Sequence, residues 1–198
     1  RHAQSDHAAE FVGNLATVLD NLGHPAEALP YHQRAIEATV ALGDRSFIAT
    51  VRANLAASRL NAGAVSGARQ QLARAQQLIS GGDLKGSSAG FIAALQAQAE
   101  RADGDYPAAL AWCDAAEPLL AAASPVWLPV IRMHRAQALL DLGQFARAQQ
   151  TLSAIAGEGL PARQRARHAG LWGRLHLALG QPARDELDAA LACAPVAG

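Results

Sequence analysis

Five glycines set the frame of this chain. Gly23, Gly63, Gly104, Gly143 and Gly180 stand 40, 41, 39 and 37 residues apart. Each closes a similar stretch: NLATVLDNLG, NLAASRLNAG, QAQAERADG, RAQALLDLG and WGRLHLALG. Seven residues before each glycine stands a small residue: Ala16, Ala56, Ala97, Ala136 and Gly173. Five residues after it come Ala28, Ala68, Ala109 and Ala148, and seven further on Ala35, Ala75, Ala116 and Ile155. The last copy departs, with Asp185 at the first of these places. Self-similarity at a fixed period of about 20–50 residues is the mark of a solenoid, in which each unit buries its apolar face only against its neighbours.

Each unit reads as two helices. Leu15, Leu19 and Leu22 recur at helical spacing before Gly23. The glycine then ends the helix, because it takes the left-handed cap without strain. Pro25, Pro107 and Pro182 follow two or three residues on, where a second helix can open on a proline. The small residues flanking the turn let two antiparallel helices pack closely. The expectation is an all-α, right-handed solenoid of about five antiparallel helix pairs in one domain, residues 1–198. The units span approximately 3–42, 45–79, 87–122, 126–156 and 162–193. The stretch SGGDLKGSSAG, Ser80 to Gly90, is the most flexible joint by composition but no domain boundary.

The spacing resembles the tetratricopeptide repeat (TPR). Its small residue, turn glycine and two alanines match Ala16, Gly23, Ala28 and Ala35. The likeness extends over nearly the whole chain. It is weaker in unit three, where Gln96 and Glu100 replace the usual leucines, and in unit five. The units exceed the 34-residue TPR period by a helical turn or more. Longer units with NLA openings and ALGD joints (Ala41 to Asp44) are similar to those of bacterial signal-transduction and transcriptional regulators, including LuxR-type ATP-binding activators. The resemblance implies first helices on a concave face and second helices outside.

Composition narrows the function classes. Acidic and basic residues balance at 17 each, with a pI near 7.2, so no basic field exists to hold nucleic acid or an acidic membrane surface. The one local exception is PARQRARHAG, where Arg163, Arg165 and Arg167 form either a solvated helix face or an anion-binding patch. No apolar run is long enough to cross a bilayer, and no leader is visible. Cys113 and Cys193 make no disulfide framework, and Cys113 falls on a buried helix side. These facts point to the cytoplasm. The chain begins at Arg1, with Met133 its only methionine, and so reads as a fragment of a longer protein.

No catalytic constellation emerges, and an enzyme is not expected. The seven histidines include no HExxH pair and no Cys–His zinc spacing, so neither metal nor cofactor is implied. His168 and His176 are about 12 Å apart along one helix, too far for one ion. There is no phosphate loop and no nucleophile elbow. Asp103 and Asp105 flank a turn glycine, where capping accounts for them.

Binding is the better prospect. In the resemblance, groove positions fall nine, six, three and two residues before the turn glycine. They nominate Asn14, Thr17, Asn21, Asn54, Asn61, Gln98, Arg101, His134, Gln137 and Arg174, with Asp20 and Asp141 nearby. Asn14 and Asn54 are equivalent, and asparagine is a poor helix-interior residue. They serve either as amides that pair with a ligand backbone or as inherited packing residues. A lysine clamp for chaperone tails is absent, because the single lysine, Lys85, lies outside the groove. Three functions follow: a peptide- or protein-binding module of a bacterial regulator, a small-molecule effector domain of a LuxR-type regulator, or a structural scaffold. Terminal repeats need covering. Leu187, Leu191 and Cys193 should therefore leave an apolar edge, covered by a further element or by a second copy in a homodimer.

Overall fold

The computed structural model describes residues 2–79, 87–157 and 159–193. They form ten α-helices and one short 3-10 turn, with no strand among the described residues. The helices pair as α1 (His2–Asn21) with α2 (Pro25–Leu42), α3 (Arg45–Asn61) with α4 (Val65–Ile79), and α5 (Ser87–Ala102) with α6 (Tyr106–Ala123). The 3-10 turn Pro125–Trp127 then leads into α7 (Leu128–Asp141), paired with α8 (Phe145–Ser153), and α9 (Ala162–Ala178) pairs with α10 (Arg184–Ala192). The joint expected over Ser80 to Gly90 falls outside the described residues as far as residue 86, and its remainder is the first turn of α5.

The turn glycines act as the spacing predicts. Gly23 has φ 89° and Gly63 has φ 77°, a region that a side chain would strain. The reverse turn then starts the second helix. Pro25 occupies its first position in α2, and Pro107 lies in the first turn of α6. Asp105 caps α6, its side chain accepting from the Ala108 amide at 3.0 Å. Pro182 does not open α10, which begins two residues later at Arg184. Asp185 stays exposed where the first four units bury alanine. Ala183 takes the buried place instead.

Small residues make the helix contacts. Ala16, Ala28, Ala35, Ala56, Ala68, Ala75, Ala136 and Ala148 are all fully buried. The core is spread along the axis in three successive clusters, centred on Leu72, Cys113 and Leu152. The departures in unit three are polar bridges between units. Gln96 is buried beside Gln76, and Glu100 pairs with Arg69 on α4 at 3.1 Å. Asp103 also pairs with Arg69 rather than capping a helix.

Curvature follows from which helices touch. Each first helix approaches the next first helix: α1 with α3, α3 with α5, α5 with α7, and α7 with α9. No such approach joins successive second helices among the described residues. The odd-numbered helices therefore form the inner wall of the arc. Both ends of the arc expose apolar side chains. At α9 and α10 these are Leu177, Leu187 and Leu191, the last 72 % exposed. At α1 they are Phe11, Val18 and Leu22. No helix among the described residues is long and apolar enough to cross a membrane.

Candidate functional site

The inner wall holds a groove of about 750 Å³, within the range of ligand sites. Seven nominated residues line it: Thr17, Asn21, Asn54, Asn61, Gln98, His134 and Gln137. They come from four successive first helices, because residues at one register relative to each turn glycine share one helix face. Asn14, Arg101 and Arg174 do not line it. Asn14 is exposed on α1. Arg101 and Arg174 are held by Asp141, at 3.1 and 2.9 Å. This ladder joins α5, α7 and α9 and engages the two guanidinium groups internally.

Further lining residues lie one or two turns nearer the start of each first helix. Thr50, Phe91, Val130 and Arg167 stand thirteen residues before their turn glycines, and Ser88, Trp127 and Gln164 sixteen before. The groove positions implied by the resemblance reach back only nine residues from each glycine. Extending the helical period by one and two turns would have found them. Leu120 and Ser124 enter from the end of α6. The apolar wall is built around Phe91 and Trp127, whose ring centroids are 5.6 Å apart.

The groove has two chemical halves. In units one to three the amides of Asn21, Asn54, Asn61 and Gln98 make no hydrogen bond within the described residues, so both their donors and acceptors face outward. Asp20 lies among them, fixed by His32 Nε2 at 2.8 Å. In units four and five the polar groups are already organised. Arg167 Nη2 donates to Gln137 Oε1 at 2.7 Å and lies 3.1 Å from His134 Nδ1. Burial, then the charges of Arg167 and Arg101, pushes His134 well below the ordinary histidine value, so it is neutral at neutral pH. A neutral ring can accept from the guanidinium, which a protonated ring cannot.

The other reactive groups are structural. Burial pushes the Cys113 thiol up to about 12, far from a nucleophilic thiolate. His168 sits between the Leu152 carbonyl and the Trp172 indole, and His176 lies 3.0 Å from Glu186. No three His, Cys, Asp or Glu residues converge among the described residues.

Solved structures with this arrangement are repeat proteins. A Podosopora anserina protein assigned as a kinesin light chain, built of nearly identical TPR-like repeats, superposes with a TM-score of 0.65 at 20 % identity, over 93 % of each chain. A single-substitution variant of the same protein gives 0.66 at 18 % identity, again over 93 % of each chain. The fold is TPR-like. YrrB, a TPR protein with an unusual peptide-binding site, superposes with a TM-score of 0.52 at 16 % identity, over 94 % of this chain and 86 % of YrrB. No family model matches the chain, and no curated protein matches it in sequence. Within the TPR-like frame, the groove lies on the face formed by first helices, and the turn glycines set its register.

Proposed function

We propose that this chain is a protein-interaction module that takes an extended peptide segment along its groove. The observation that carries the reading is the row of unpartnered amides, Asn21, Asn54, Asn61 and Gln98, facing one apolar wall. An extended segment presents backbone donors and acceptors at regular intervals, and amides can answer both. The peptide-binding site of YrrB supports the reading by analogy of fold. The longer unit and its NLA and ALGD features support a place in a cytoplasmic bacterial regulator. A complete reading frame without an ATPase or a helix-turn-helix region would count against that context.

The test starts from peptides selected on the immobilised protein from a display library of random nine-residue sequences. Each amide hydrogen bond contributes about 0.5–1.5 kcal/mol net. The double variant Asn54→Ala, Gln98→Ala should therefore bind a selected peptide about 5- to 150-fold more weakly, with unchanged helicity. Calorimetry showing equal affinity for variant and wild type would remove the groove as the binding site.

A further inference from the structure

The arginine run divides in the folded chain. Arg163 and Arg167, one helical turn apart on α9, line the groove, whereas Arg165 is exposed away from it. Arg167 is the unusual member. It is largely buried, and no carboxylate among the described residues pairs with it. Its hydrogen-bond partners, Gln137 Oε1 and His134 Nδ1, are both neutral groups. Its charged neighbours are Arg101 and Arg163, both cations. The charge of Arg101 is already paired with Asp141, at 3.1 Å.

We infer that Arg167 is an anion subsite of the groove, which takes a carboxylate of the bound peptide between α7 and α9. The inference rests on the peptide reading above and adds the chemistry of the ligand's end nearest unit five. A largely buried cation without a counter-ion is costly, and the open side of this one is the groove. Only Nη2 is engaged, so the remaining N–H donors of the fork are available to an oxyanion. Gln137 and His134 fix the plane of the guanidinium before ligand arrives, which reduces the ordering cost of binding. Arg163, exposed at the mouth, adds attraction along the path of entry.

The balance of charge selects the anion. Burial and the two neighbouring arginines lower the Arg167 pKa to about 10, so it remains a cation at neutral pH. His134 is held neutral and supplies no second positive charge. One buried positive charge matches a monoanion, and the planar fork matches a carboxylate in geometry. Trp127 and Val130, preceding His134 on the same side of the wall, give the neighbouring part of the ligand an apolar surface. A purely structural Arg167, bracing α9 against α7, would show no dependence on ligand charge.

The test uses nine-residue peptides selected on the wild-type protein. Asp or Glu should be enriched at one fixed position, or else the free C-terminus should be required. Replacing that acid by its amide should weaken binding about 10- to 100-fold. Amidating the C-terminus of the same peptide separates the two sources of carboxylate. In Arg167→Gln the acid and amide peptides should bind equally, and Arg167→Lys should restore part of the preference. If Arg167→Gln fails to fold, the Arg167 Nε resonance of the labelled wild-type protein serves instead. It should move with the acidic peptide and stay in place with the amide. Peptides that bind the groove without acid preference would overturn the anion subsite and leave the groove reading intact. A full acid preference persisting in folded Arg167→Gln would also overturn it. A selection that yields no peptide would overturn both.

Discussion

Replacing Leu72 with alanine will lower the unfolding free energy by about 2–5 kcal/mol, towards the upper part of that range. Leu72 on α4 is fully buried. Its cluster is made largely of Ala49, Ala53, Ala56, Ala68 and Ala75, with Ile92 and Leu95 from α5. Alanine has no rotamer through which it can refill a void. The helices are also held apart by their own backbones, so the cavity stays open and costs more than the lost transfer energy alone. Urea denaturation reads the change directly. For a chain of this size each kcal/mol corresponds to about 2–4 °C in the melting temperature. A loss below about 1 kcal/mol would mean that α4 collapses onto α3 and that the alanine seam does not set the spacing.

Enlarging Ala28 to leucine will also destabilise, by about 1–3 kcal/mol, for the opposite reason. Ala28 is fully buried, as are Ala16 on α1 and Ala35 further along α2. A Cβ placed on Gly13 would meet Ala35 Cβ at 3.7 Å, so the seam has room there for a methyl group in ordinary contact. The unit cannot widen freely, because Ser58 on α3 donates to the Pro25 carbonyl at 3.2 Å and ties α2 to the next pair. Ala26, exposed on the same helix, provides the control. Leucine there should change stability by no more than about 0.5 kcal/mol. Equal effects at the two positions would show that the small residues are not the seam.

The seam was legible because it depends on two local requirements that repeat: a left-handed residue at the turn and small residues at the crossing. Ala16, Ala56 and Ala136 could therefore be placed from spacing alone, as could Gly23 and its four equivalents. The groove was legible only as far as the register was extended. Asn54, Gln98 and His134 fall where the spacing puts them. Phe91, Val130 and Arg167 lie one turn earlier on the same faces, beyond the groove positions that the repeat resemblance implies. Arg101 and Arg174 carry the right register but are claimed by Asp141. That competition depends on distances between units, which no single-helix pattern contains. Asn14 carries the same register as Asn54 but stays exposed outside the groove, whereas Thr17 and Asn21 on the same helix line it. The exposed apolar face of α1 was missed because periodicity marks a face without saying what covers it.

The claim that an extended segment lies against the first-helix amides can be read most directly by nuclear magnetic resonance. The side-chain amide signals of Asn21, Asn54, Asn61 and Gln98 would be followed during titration with a library-selected peptide, with Gln70 and Gln149 on the second helices as references. Progressive shifts are expected for the four groove amides and none for the references. Shifts confined to Gln70 and Gln149, with the groove amides silent at saturation, would contradict it.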